Sequence, residues 1–133
     1  MEQKKPVYIC SPLSAPSREG ILRNMMAARE YMRKVSLELG RRAIAPHAWL
    51  PELLDDSVWE ERELALRFDT QALHLCESLI ICHPEVTRGM AMEIELAQGL
   101  GLPILARPAA GEYDSPKSIP EVGIKADWGA WGY

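Results

Sequence analysis

The side chains best placed for chemistry are two carboxylates and a tyrosine: Glu93, Asp69 and Tyr8. Glu93 lies in Thr87-Arg88-Gly89-Met90-Ala91-Met92-Glu93-Ile94-Glu95-Leu96-Ala97. This stretch follows the apolar run Ser78-Leu79-Ile80-Ile81-Cys82 and the proline-containing turn His83-Pro84-Glu85-Val86. It predicts a helix that stops at Gly99 and Gly101, before a second apolar run, Pro103-Ile104-Leu105-Ala106. At roughly 100° per residue, Met90, Ile94 and Ala97 define the buried face of that helix. Glu93 falls on the flank of this face and Glu95 points to solvent. A helix N-terminus favours an ionised Glu93, which suits a nucleophile or a charge stabiliser. The bland alternative is a glutamate that caps its own helix or pairs with an arginine.

Asp69 falls inside the apolar arc of a preceding helix, among Leu64, Ala65, Phe68, Ala72, Leu73, Leu75 and Cys76. A carboxylate there is costly unless it is paired or lines a cleft, so a salt bridge and a site role both stay open. Tyr8, near the end of an apolar run, either aims its hydroxyl into a cleft or packs in the core. Thr87, Gly89 and the free N–H groups of Gly89 and Met90 at the helix start form a weak anion-binding signal, neither a P-loop nor G-x-G-x-x-G. Ser11 and Ser14 offer hydroxyls to the same anion or serve only as turn residues. His47 lines the site or holds its own loop. A Ser/His/Asp triad lacks its elbow motif, and no cysteine has an obvious base.

These residues need a frame. Pro6-Val7-Tyr8-Ile9-Cys10 reads as a buried first strand, followed by a hydroxyl- and proline-rich loop, Ser11 to Ser17. A helix over Arg18 to Leu39 follows from Ile21, Met25, Ala28, Met32, Val35 and Leu39, with Gly40 as its stop. Arg42-Ala43-Ile44-Ala45-Pro46 predicts a second strand. Ser57 and Glu60 have the form of a capping box for a helix reaching about Leu75. Leu79 to Cys82 and Ile104 to Ala106 are the third and fourth strands, and a fifth is weakly signalled near Ile124. Strand–helix alternation predicts a single-domain, flavodoxin- or Rossmann-like α/β three-layer sandwich, with four or five parallel strands and helices on both faces. Ligands in such sheets sit outside the carboxyl ends of the strands. The domain is expected over residues 1–107. Residues 108–133 form an irregular extension whose aromatic end (Trp128, Trp131, Tyr133) needs a surface on this chain or a neighbour.

The chain has 133 residues, 47% hydrophobic and 26% charged, with net charge −4 and pI about 5.4. That balance argues against nucleic-acid polymers and anionic membranes as partners. No apolar run approaches the roughly 20 residues of a membrane helix, and no signal-peptide core follows the first residues. An odd cysteine count, Cys10, Cys76 and Cys82, reads as reduced thiols in a cytoplasmic protein. Neither the cysteines nor His47, His74 and His83 make a ligand pattern, so no metal and no cofactor is expected.

Taken together, the segments resemble the nucleoside 2-deoxyribosyltransferase superfamily, within it a branch of small DUF4406-like phage and bacterial proteins. The resemblance covers about residues 5 to 107. It rests on Val7-Tyr8-Ile9-Cys10-Ser11-Pro12-Leu13, Ala45-Pro46-His47, Leu54-Asp55-Asp56 with Glu60-Glu61-Arg62, and Gly89 to Ala97 leading to Gly101-Leu102-Pro103-Ile104. It implies Glu93 as the nucleophile of a retaining displacement at C1′ of a nucleoside or nucleotide. It also implies Asp69 on the sugar and in proton transfer, and Tyr8 positioning the nucleophile. Thr87, Ser11 and Ser14 match positions where family members acting on 5′-monophosphates keep phosphate-binding hydroxyls, which tilts the reading towards a nucleotide. The sequence departs from the pattern at Thr87, where transferases often carry an acid, and at Ser14-Ala15-Pro16-Ser17, which replaces a glycine-rich loop. The resemblance further implies a homo-oligomer in which the chain end reaches a neighbour.

The leading expectation is an N-glycosidase or deoxyribosyltransferase. Two others stand beside it: a nucleotide-binding sensor module without turnover, and a scaffold that uses the aromatic end.

Overall fold

The computed structural model describes residues 4–109, 111–116 and 118–124. The elements are β1 (Val7–Cys10), α1 (Arg18–Leu39), β2 (Ala43–Ile44), α2 (Trp59–Leu75), β3 (Ser78–Ile81), α3 (Arg88–Gly99) and β4 (Ile104–Ala106). All strand pairs are parallel, in the order β2-β1-β3-β4. The chain leaves β1 towards one edge and β3 towards the other, so the crevice between the loops after β1 and β3 is the topological switch point.

Strand alternation sorts the core into two layers. Val7, Ile9, Ile80 and Cys82 face α1, where Ala28, Tyr31 and Val35 cover them. Tyr8, Cys10, Leu79 and Ile81 face Leu73 of α2 and Met90, Ile94 and Ala97 of α3. The three-layer α/β sandwich expected from the sequence is the fold observed. Among the described residues there is no fifth strand; near Ile124 only a single parallel bridge forms, Val86 with Val122.

Local chemistry sets the element ends. Ser17 caps α1 by accepting from Gly20 N–H at 3.1 Å, and Gly40 closes the helix in the left-handed region at φ 63°. Gly20 is needed for contact: a Cβ there would come within 2.7 Å of Ala15 Cβ. Two local expectations fail. The second strand is only two residues long, because Pro46, without an N–H and with φ fixed, opens a 3-10 turn, Pro46–Ala48, instead. The Ser57–Glu60 capping box does not form. Val58 is the N-cap with no side-chain bond, while the Ser57 hydroxyl and N–H both donate to Asp55 Oδ1, at 2.7 and 2.9 Å. A local Asx bond thus outcompetes the helix cap.

Beyond β4 the chain is tied down on both sides of the sheet. Arg107, almost wholly buried, donates from Nε and Nη2 to the two Glu38 oxygens of α1, each at 2.7 Å. Tyr113 donates to the same carboxylate at 2.6 Å. Ala106 and Asp114 exchange backbone hydrogen bonds, and Gly123 N–H reaches Val86 O at 3.0 Å. The aromatic residues Trp128, Trp131 and Tyr133 lie outside the described residues.

The Arg107 guanidinium holds the Glu38 carboxyl down at about 2. A depressed carboxylate contributes stability that is fully present above its unfolded value and is lost as pH falls through the folded one. Glu38→Gln is therefore expected to lower stability at pH 7, by on the order of 1 kcal/mol once the solvent exposure of Glu38 is allowed for. The loss should shrink between about pH 4.5 and pH 2, as read by denaturant melts across that range.

Candidate active site

The site is built on one face of the sheet. β1 projects Tyr8 into the layer under α2 and α3, and the two helices deliver Asp69 and Glu93 to it. Tyr8 is fully buried, yet its hydroxyl donates to Glu93 Oε2. Core packing and a site role, alternatives in the sequence, are thus compatible in one residue: the ring fills the core and the hydroxyl emerges at the carboxylates.

Asp69 and Glu93 are each half-buried. Removal from water pushes Glu93 up to about 8, with the Asp69 charge adding to the rise and the Tyr8 hydrogen bond opposing it. Burial likewise pushes Asp69 up to about 7; the nearby Tyr8 hydroxyl opposes the rise and Asp56 adds to it. Tyr8 itself is held far above its usual range by burial and by the two carboxylates. The expectation that a helix N-terminus keeps Glu93 ionised is corrected here. Glu93 is the sixth residue of α3, beyond the first turn where the dipole acts, and desolvation beside a second acid dominates.

The two acids titrate as a pair near neutrality, and hydrogen bonding decides where a shared proton sits. The one phenolic proton goes to Glu93, which favours its negative form. Asp69 Oδ1 is buried without a hydrogen-bond partner, which disfavours charge on Asp69. The arrangement is two acids and one phenolic donor, in which the Tyr8 hydrogen bond favours charge on Glu93 and burial opposes charge on both. Asp56, which adds to the rise at Asp69, carries a single signal in the sequence, an acid just ahead of a helix.

The remaining candidates fall into separate groups. Ser11 and His47 bond to each other, Oγ to Nε2 at 2.8 Å, both nearly inaccessible. Burial pushes His47 down to about 4, so its ring is neutral, and its Nδ1 has no partner among the described residues. Thr87 is the N-cap of α3, accepting from Met90 N–H at 3.3 Å. Met90 therefore does not present a free N–H, and its side chain is core. Gly89 faces open space, with nothing within 4 Å of an added Cβ. Ser14 is exposed and joins neither group. Among the described residues no cluster of three or more His, Cys, Asp or Glu is arranged to hold a metal ion, and no helix is long and apolar enough to cross a membrane.

A parallel α/β sheet with two helix-borne acids meeting on a strand tyrosine belongs to the Rossmann-like class, and comparison with solved structures agrees. The chain is similar to a 2-deoxyribosyltransferase from the psychrotolerant bacterium Bacillus psychrosaccharolyticus, with TM-score 0.53, 18% identity, and coverage of 76% of this chain and 70% of that one. At that identity the likeness is one of fold. The chain itself belongs to the family described as Domain of unknown function (DUF7768), whose model matches residues 5–107. That match does not place it in a DUF4406-like branch. No curated protein matches the sequence.

Raised carboxylates destabilise the fold when ionised. Their stabilising protons are present below about pH 4 and are lost as pH rises towards 8. Glu93→Gln and Asp69→Asn are each expected to raise stability at pH 8, by on the order of 2 kcal/mol after allowance for their partial exposure. The gain should disappear near pH 4 in thermal melts.

Proposed function

We propose that this protein cleaves the N-glycosidic bond of a nucleoside or nucleotide, or transfers its deoxyribosyl group, through a glutamate nucleophile. The observation that carries the reading is the Glu93–Tyr8–Asp69 cluster: two carboxyl groups withdrawn from water that titrate near neutrality, with one phenolic hydroxyl donating to Glu93. A retaining displacement at an anomeric carbon requires two such acids, and here Glu93, which holds the phenolic donor, is assigned the charge and Asp69 the proton.

In the first step a Glu93 oxygen bonds to C1′ as the C1′–N bond breaks. The bonding pair leaves with the base, which takes a proton from Asp69. Tyr8 keeps Glu93 oriented through its donated hydrogen bond. In the second step Asp69, now a carboxylate, takes a proton from water or from a second base. The oxygen or nitrogen so activated attacks C1′ and frees Glu93. The reading extends to a 5′-monophosphate, with the phosphate at the start of α3, near Thr87 and the open space at Gly89, and with Ser14 free to turn towards it. Ser11 is assigned to orient the His47 ring, which burial keeps neutral. The fold likeness to a deoxyribosyltransferase supports this assignment, as does the resemblance of the Glu93 segment to that superfamily.

Incubation with a panel of nucleosides, deoxynucleosides and their 5′-monophosphates, with free base followed by chromatography, should show release from at least one. Glu93→Ala should reduce it to background, and Asp69→Asn by roughly 10²–10⁴-fold. Tyr8→Phe should cost roughly 10–100-fold, the worth of a hydrogen bond to a charged group. It should also move the acid limb of the pH–rate profile to higher pH, because Glu93 loses the donor that favours its charge. Absence of base release, or undiminished release by Glu93→Ala, sinks the reading. Thermal stabilisation by a nucleotide without any product would identify a sensor module instead.

A further inference from the structure

The loop that follows β1 is tied at every second residue. Ser11 Oγ and His47 Nε2 share a hydrogen bond of 2.8 Å. Asn24, half-buried on α1, donates from Nδ2 to Leu13 O at 2.9 Å. Ala15 packs against Gly20, where a side chain would strike the Ala15 Cβ at 2.7 Å. Ser17 takes Gly20 N–H on its hydroxyl and Ile21 N–H on its carbonyl, each at 3.1 Å. Between these ties, Pro12 and Pro16 have φ fixed by their rings, and each biases the residue before it towards extended backbone. No residue of the loop has a positive φ, so the ties hold it without strain of that kind. Gly20 and Asn24 are four positions apart and share one face of α1, and both meet the loop there. Ser14, exposed, stands between the tied Leu13 and Ala15, so its hydroxyl turns about a fixed backbone.

We infer that the Ser11–Ser17 loop is a preformed wall of the site and that Asn24 is its positioning residue, the side chain through which α1 fixes where Ser14 stands. The loop leaves the carboxyl end of β1, beside the crevice where the strand order reverses. None of its ties to α1 involves Tyr8, Asp69 or Glu93, so they act on how a ligand is held and not on the two acids. A mobile loop loses conformational freedom when a ligand orders it. Here that ordering is complete on folding, and such preorganisation raises affinity. A fixed wall contacts the ligand alike in the ground state and the transition state, so it acts on KM and leaves kcat. The tie at Asn24 depends on a donor, since Leu13 O accepts only from its amide nitrogen. Aspartate has the same shape and no N–H to give. The inference rests on the proposed function for the ligand that the wall receives.

Nitrogen-15 relaxation of the full chain should give order parameters of about 0.85, those of rigid backbone, at Leu13, Ser14 and Ala15. Asn24→Ala should bring them below about 0.6. It should also raise KM roughly tenfold for whichever nucleoside or nucleotide releases base, with kcat within about twofold of the wild type. Asn24→Asp should behave like Asn24→Ala, because it keeps the packing and loses the donor. Gly20→Ala favours the helix yet pushes Ala15 away, so it should raise KM with far-ultraviolet dichroism unchanged. Met26→Ala, at a position 68% exposed on the same helix, should match the wild type in both measurements. Order parameters below about 0.6 in the wild type, a wild-type KM in Asn24→Asp, or a loss confined to kcat overturns the inference. If no compound of the panel releases base, the proposed function fails, and the order parameters of the wild type and Asn24→Asp then decide this inference by themselves.

Discussion

One phenolic proton serves two acids that the fold has withdrawn from water, and much of the domain follows from that constraint. Tyr8 must stand on the central strand so that its ring is held rigidly. Asp69 and Glu93 must come from different helices on the same face, since no single helix brings two carboxylates to one hydroxyl from opposite sides. The strand order supplies this. The right-handed crossovers from β2 to β3 and from β3 to β4 place α2 and α3 together over β1, while α1 takes the other face alone. The switch point thus opens beside the acids.

The molecule treats its carboxylates in two opposite ways. Glu38 meets a guanidinium and a tyrosine, is satisfied on both oxygens, and lies far below its ordinary range. Glu93 and Asp69 have one donor between them and lie far above theirs. The first arrangement is a structural tie and the second a stored cost. Strain of this kind, held in place by a well-packed sheet, is the usual mark of a site where charge must be released on demand.

Much of this architecture can be read from the residues. The step pattern of α1 with Gly40 behind it fixes both helix ends, Arg18 and Leu39. The alternation of apolar runs with amphipathic stretches gives the parallel sheet, and helical phase separates Glu93 from Glu95. What cannot be read is anything set by competition or distance. Asp55 draws Ser57 away from its cap, and Pro46 cuts β2 short. Arg107 finds Glu38 across 69 positions. Phase also gives the direction of Glu93 but not its depth, so the burial that raises its pKa is not legible in the residues.

The segment after β4 crosses from one face of the sheet to the other. It begins at the Glu38–Arg107–Tyr113 tie on the α1 side and ends hydrogen-bonded to Val86, one residue before the cap of α3. The family match stops at Arg107. The loop that sets the origin of the Glu93 helix is therefore braced by chain lying outside the family region. A fragment cut at the family boundary would keep every residue of the carboxylate cluster and lose its buttress. It would also strip Tyr113 from the Arg107–Glu38 ion pair. In this chain the family match and the hydrogen bonds that brace the candidate site have different ends.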